Sequence, residues 1–256
     1  MKFIIRILVK VFMTASSFHK HELNRLGSNY GGWYISILNS LKPQYMISAG
    51  VGEDISFEID YINKINNNLK VIFIDPTPKS ISHFNLVLER ISHSKEIDYS
   101  DSGQQPIESY ELKNVKVENF EYIAKALSIH DGKEKFFTPK NKNYVSHSIK
   151  KSQFNVKNDD FITVESTTIN TVLNKHVHKK DFILKIDIEG MECDVLNKML
   201  SDAIYPQQIL VEFDLLQNSR LLDFFRVFRV HTRLKKQGYL CIFHEGLNFT
   251  YLRKGL

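Results

Sequence analysis

Gly50 and Gly52 follow an apolar run, Tyr45-Met46-Ile47-Ser48-Ala49, and precede Glu53-Asp54 and a helix-like stretch from Ile55. A strand that turns on glycines into a helix leaves backbone room and unpaired N–H groups beside a ligand, which suits a nucleotide-type pocket. A second apolar strand, Val71-Ile72-Phe73-Ile74, ends in Asp75, about 25 residues after Gly50, where a βαβ unit places a ribose-binding acid. Together the two features predict a ligand that carries a ribose.

A dinucleotide and S-adenosylmethionine both meet that description. The dinucleotide fingerprint wants a further glycine at position 55, where close helix–strand packing brings the pyrophosphate onto the helix N-terminus, but Ile55 stands there. S-adenosylmethionine has no pyrophosphate, so the acidic Glu53-Asp54 pair can face its ammonium or sulfonium charge instead of repelling a phosphate. The residues favour the methyl donor. Asp75 is expected at the edge of the pocket, where its loss would weaken the ligand and leave the stability of the fold largely intact.

The elements that must position these residues follow from periodicity. Ile55, Ile59 and Ile62 recur at helical spacing after the first strand. Beyond Asp75, Pro76-Thr77-Pro78 opens a second amphipathic helix carrying Ile81, Phe84, Leu88 and Ile91, which makes the order β-α-β-α. Asp98 to Pro106 reads as a loop within a polar insertion, and Phe120 to Ser128 as one strand, with Asp131-Gly132 turning into a hairpin-like extension at Lys135-Phe136-Phe137. Lys140 to Ser152 is a basic, asparagine-rich loop with Tyr144 and His147, either solvated surface or a lid over an acceptor. Further strands are Phe161 to Glu165, the buried-looking Phe182 to Asp187, and Gln208 to Phe213. Helices follow with Val195, Leu196, Met199 and Leu200 inward, and with Leu221, Phe225 and Phe228 inward against an outer row of Arg226, Arg229 and Arg233. Tyr239 to Phe243 and Phe249 to Arg253 are joined by a link too short for a helical crossover, so the last strand must be antiparallel. The fold class predicted is α/β, a mostly parallel seven-stranded Rossmann-like sheet of the class I methyltransferase kind, with a C-terminal antiparallel hairpin and helices on both faces.

A chain of 256 residues with 43% hydrophobic content can bury one substantial core. Its net charge of +5 is spread out, which permits an anionic partner without demanding nucleic acid. Cys193 and Cys241 lack the spacing of a metal knuckle or a disulfide framework, no metal site is predicted, and a reducing, cytoplasmic setting is expected. We set residues 1–24 apart from a domain over 25–256. In Met1 to Met13 the residues Lys2, Arg6 and Lys10 form one basic stripe, and they interrupt both a membrane span and a signal-peptide core. The leading reading is a helix docked on its own domain. The other is an interfacial helix making weak peripheral contact with an anionic membrane, at its inner face.

Three stretches resemble the FkbM-type methyltransferases: Ile47 to Glu58, with its Ala49-Gly50-Val51-Gly52-Glu53-Asp54 core; Phe73-Ile74-Asp75-Pro76-Thr77-Pro78; and Leu184-Lys185-Ile186-Asp187-Ile188-Glu189-Gly190-Met191-Glu192. The third is the most specific. Arg25-Leu26-Gly27-Ser28-Asn29-Tyr30-Gly31-Gly32-Trp33 is similar to the glycine-rich segment before the family's first strand, with Tyr30 where many relatives carry an acid. The resemblance implies a class I fold, S-adenosylmethionine as cofactor, and methylation of an oxygen on a sugar or natural product. It further implies that Gly50, Gly52 and Glu53 approach the methionine portion, that Asp75, with Pro76 beside it, holds the ribose, and that Ala126, Leu127 and Ser128 lie by the adenine. Asp187 and Glu189 would sit at the carboxyl end of the fourth strand, where an open α/β sheet forms its crevice.

Methyl transfer from a sulfonium is an in-line displacement, so the protein must align the acceptor oxygen and remove its proton. Asp187 is the first candidate base and also a cofactor neighbour, Glu189 the second, with Glu212 behind them and His147 suited by its ordinary pKa. An acid at a strand end can equally cap the following helix. The expected partner is a small-molecule or glycan acceptor. No DNA is expected: the Asp187-Ile188-Glu189-Gly190 stretch stands where amino-methylating enzymes of nucleic acids carry an N-P-P-Y-like loop, so an RNA methyltransferase ranks below. A cofactor-binding module of the same fold without turnover is the alternative from another class.

Overall fold

Apolar, β-branched runs bounded by glycine, proline and acids set the strands. The computed structural model describes residues 2–13, 23–37, 43–93, 105–139, 147–150, 156–177, 181–218 and 220–254. Tyr144 and most of the predicted Asp98 to Pro106 loop lie outside them. The chain runs α1 (Lys2–Phe12), β1 (Leu23–Leu26), β2 (Trp33–Ser36), β3 (Tyr45–Ala49), α2 (Ser56–Lys64), β4 (Lys70–Ile74), α3 (Pro78–His93), β5 (Phe120–Ile123), β6 (Ala126–Leu127), β7 (Gly132–Pro139) and β8 (Val156–Thr167). It continues with α4 (Ile169–His176), β9 (Phe182–Ile186), α5 (Glu192–Ser201), β10 (Gln208–Glu212), α6 (Leu221–Lys236), β11 (Tyr239–Glu245) and β12 (Asn248–Arg253).

A seven-stranded sheet has the order β11-β12-β10-β9-β3-β4-β5. Strands β10, β9, β3, β4 and β5 pair in parallel, while β12 is antiparallel to both neighbours. From β3 the chain winds outward through β4 to β5, then returns to β9 on the other side of β3. That reversal opens a crevice at the carboxyl ends of β3 and β9. Side chains alternate across the sheet: Met46, Val71, Ile183 and Leu210 pack with α2 and α3, whereas Ile47, Ile72, Leu184 and Ile209 pack with α1, α4, α5 and α6. Both faces are therefore covered, which is why these strands read as continuous apolar runs.

Several expectations need correction. Residues 120–128 are two strands in different sheets: β5 closes the main sheet, and β6 joins β8 and β7 in a three-stranded sheet. The predicted hairpin at 135–137 pairs instead with the distant β8, itself longer than the Phe161 to Glu165 strand read from the sequence. Phe224, Val227, Val230 and Leu234 form the buried face of α6, while Leu221 and Phe225 are exposed. Both stripes have helical spacing, but only the buried one stays apolar to the end of the helix; the other runs into Thr232 and Lys235. The last two strands are joined by only Gly246 and Leu247, with Gly246 at φ 61°. The β1–β2 hairpin was not foreseen. It is clamped to the main sheet by Gln208, which bonds both the N–H and the carbonyl of Ser36, and by Thr250, whose hydroxyl donates to the Tyr34 carbonyl. Helix α1 docks Ile5 and Val9, with Met13 just after it, into the same core as α5 and α6, as the docked-helix reading expects.

Candidate active site

A cavity of about 350 Å³ opens at the carboxyl ends of the central strands. Its lining includes the turn after β3 (Gly50 to Asp54), the turn after β4 (Asp75 to Thr77), the exit of β9 (Asp187 to Glu189), the end of β10 (Glu212) and the start of β12 (Asn248). The topological switch point and the cavity coincide.

Gly50 has φ 74° and Gly52 φ 58°, conformations that glycine adopts without strain. A Cβ on Gly50 would also collide with the Asp187 carbonyl, because β3 and β9 run side by side and the Asp187 N–H donates to the Ala49 carbonyl at 2.9 Å. Asp75 organises this turn from the next strand. Its Oδ2 accepts from the Val51 and Gly52 N–H groups at 2.9 and 3.0 Å, and its Oδ1 accepts from the Thr77 N–H and hydroxyl at 2.8 and 2.7 Å. A carboxylate has about four lone-pair sites, and the chain's own donors occupy four. The expectation that Asp75 matters little to the fold is therefore corrected: a ribose hydroxyl would have to share or displace these bonds.

The glycine-rich segment at 27–32 lies over the turn as a second layer. Asp54 holds it there by accepting from the Ser28 hydroxyl at 2.6 Å, and its other oxygen accepts the Ser56 N–H at the start of α2. Asp60 accepts the Gly27 N–H at 2.8 Å. Tyr30 and Trp33 from this layer join the cavity wall. Glu53 and Asp54 both line the cavity, and Asp54 in addition fastens the cover.

Opposite stand the carboxylates that end β9 and β10. Burial, then the neighbouring Glu212 and Glu189, hold Asp187 well above the usual carboxylate range. Burial and Glu189 push Glu212 up to about 7. Behind them Glu192 is raised to about 8, chiefly by burial, and Asp214 is raised by burial and by these same acids. Glu189 adopts φ 53°, uncommon for a residue with a side chain, and its carbonyl accepts the Ser148 hydroxyl at 2.6 Å. That bond, with Ser148 pairing to Phe137, brings His147 to the wall, its ring stacked on Phe136 at 5.4 Å between centroids. Ala126 and Leu127 also line the cavity. Ser128 does not: it is buried and its hydroxyl donates to Glu134.

Lys185, on the wall and 4% exposed, was not singled out from the sequence. Its ammonium lies 3.1 Å from the fully buried Glu58, which also accepts the Ser48 hydroxyl at 2.6 Å. A lysine inside an otherwise apolar strand is the signal that could have found it, since such a charge needs a partner.

This architecture defines an α/β protein whose ligand crevice is rimmed by a glycine turn and by acids. Residues 28–241 match the Methyltransferase FkbM domain, and the chain belongs to that methyltransferase family, whose members generally use S-adenosylmethionine. Among solved structures it is similar to the crystal structure of methyltransferase FkbM from Methylobacillus flagellatus KT, at 12% identity and a TM-score of 0.47, over 82% of this chain and 43% of that one. The chain thus spans less than half the length of that protein. No curated protein sequence matches it.

Proposed function

We propose that this chain is an S-adenosylmethionine-dependent O-methyltransferase that acts on a hydroxyl of a sugar, glycan or small natural product. The observation that carries the reading is the meeting, in one cavity, of the glycine turn after β3 with the carboxylates ending β9 and β10. The mostly parallel main sheet, with β12 reversed between β10 and β11, supports this reading.

The residues fit such a cofactor in space and charge. Glycine at position 50 keeps the turn low against β9, and the raised proton affinities of Asp187 and Glu212 mark acids that Lys185 does not fully compensate. A sulfonium or ammonium group beside them would supply the missing positive charge. Gly50, Gly52 and Glu53 would hold the amino-acid end, and Asp75 with Pro76 the ribose. Ala126 and Leu127 supply an apolar wall for the base. When bound, the cofactor provides an electrophilic methyl group.

The chain's own part is to orient the acceptor and take its proton. Asp187 is the first candidate base; Glu212, at about 7, and Glu189 lie beside it, and His147 also lines the cavity. Asn248 Oδ1 is buried at the cavity with no hydrogen-bond partner among the described residues, which suits it to accept from an acceptor hydroxyl. The acidic rim disfavours a polyphosphate acceptor and hence nucleic acid.

The test is an acceptor screen with methyl-labelled S-adenosylmethionine over glycans, lipid-linked sugars and natural products, paired with calorimetry of the cofactor alone. A labelled ether product is the expected result. Tight cofactor binding with no transfer to any acceptor would instead favour a binding module, and no binding would reject the placement of the pocket.

A further inference from the structure

Helix α1 is apolar almost all round, and only half of it is covered. Ile5, Val9 and Met13 face the core, while Phe3, Ile4, Ile7, Val11 and Phe12 are each at least 44% exposed. Phe3, Ile4, Ile7 and Val11 recur at helical spacing opposite the docked stripe, and exposed Arg6 and Lys10 flank them on one side. The neighbouring α6 repeats the pattern with exposed Leu221, Leu222 (77%) and Phe225. The two helices touch where Phe12 packs edge-on against the half-buried Phe228 at 5.9 Å, one helical turn from the exposed Phe225.

A helix apolar on two opposite sides is expected to be covered on both. The charges around this face indicate by what. Helix α1 contains no acid, and the single acid of α6, Asp223, is buried. Arg6, Lys10 and Arg229 are exposed around the apolar side chains. Two copies of the chain meeting through these helices would crowd cations with no exposed acid on either helix to answer them. An anionic lipid surface satisfies both features at once, with the apolar side chains in the acyl boundary and the cations at the headgroups.

We propose that α1 and the exposed face of α6 together form a docking surface for an anionic membrane. Helix α6, whose exposed apolar residues lie in its first turns, follows the carboxyl end of β10, where Glu212 lines the cavity. Lys10 reaches the neighbourhood of His244, near the carboxyl end of β11, where its charge adds to the burial that lowers the imidazole's proton affinity. A chain seated this way would present its crevice near the lipid interface. Among the described residues no helix is long and apolar enough to cross a membrane, and the proposed contact lies along α1 and α6.

The test is co-sedimentation of the full chain with phosphatidylcholine vesicles that contain or lack phosphatidylglycerol. Binding should require the anionic lipid and fall with added salt. Arg6→Gln with Lys10→Gln should weaken it by about fivefold per charge removed. Ile7→Ser with Val11→Ser, which leaves the docked stripe intact, should weaken it by on the order of tenfold or more. Equal sedimentation of the parent chain and these variants would overturn the proposal. So would a concentration-dependent dimer, seen by analytical ultracentrifugation without lipid, that Ile7→Ser with Val11→Ser abolishes.

Discussion

Asp75→Ala should damage both the fold and cofactor binding, and the hydrogen bonds around it set the scale. The carboxylate accepts four bonds, three from backbone N–H groups and one from the Thr77 hydroxyl. Truncation leaves the donors of Val51 and Thr77, 5% and 3% exposed, without their acceptor, while Gly52 lies nearer solvent. A buried donor left unsatisfied costs about 1–3 kcal/mol, so two cost roughly 2–6 kcal/mol, less if a water enters the space vacated. For a domain of this size, 1 kcal/mol shifts Tm by about 2–4 °C, so thermal unfolding should move down by roughly 4–24 °C. Calorimetry at a temperature where the variant is still folded should show S-adenosylmethionine weakened by a hundredfold or more, since about 1.4 kcal/mol is a factor of ten. Parental Tm with weakened affinity would mean that the carboxylate serves only the ligand. Parental affinity in a destabilised variant would place the ribose elsewhere.

Gly50→Ala should be more severe, costing more than about 3 kcal/mol and lowering soluble yield, because the new methyl meets a backbone carbonyl in a left-handed turn; a thermal scan near the parental curve would refute the interlock of β3 and β9. Asp187→Asn should slow turnover of an identified acceptor by roughly two or more orders of magnitude while preserving the fold, and unchanged turnover would move the base to Glu212, Glu189 or His147. Glu192 has a folded value of about 8 against 4.5 for a free side chain, so its contribution to stability is complete below about pH 4.5 and is lost as pH rises through about 8. Glu192→Gln keeps an oxygen for the Gly190 N–H and cannot titrate, so urea midpoints across that window should fall less steeply than in the parent, and equal slopes would refute the assignment.

Period and punctuation made much of the fold legible. Ile55, Ile59 and Ile62, and the Val195 to Leu200 set, are all buried where their spacing put them, and the short link before the last strand correctly required β12 to be antiparallel. What failed were choices that local pattern leaves open. Residues 120–128 read as one extended run, but the Lys125 N–H turns back to the Ile123 carbonyl at 2.7 Å, and the strand changes sheets there. The two apolar stripes of α6 are equivalent by spacing; tertiary packing selected one and left the other outside.

At the site, residue types were legible and their commitments were not. Asp75 and Asp54 were read as acids for a ligand because acids after strands in a βαβ unit invite that reading. Asp75 also satisfies backbone donors of the neighbouring glycine turn, and Asp54 accepts the Ser28 hydroxyl of the glycine-rich segment and the Ser56 N–H; no spacing rule reveals where another segment's donors will point. The same commitments join the two halves of the crevice. Asp75 holds the turn after β3, Gly50 in that turn leaves room only for the Asp187 carbonyl, and the Asp187 N–H closes back on Ala49. A shift in either the glycine turn or the exit of β9 must therefore move the other, so the groups expected to hold a methyl donor and the carboxylate expected to receive the acceptor's proton keep one fixed spacing, which an in-line displacement requires.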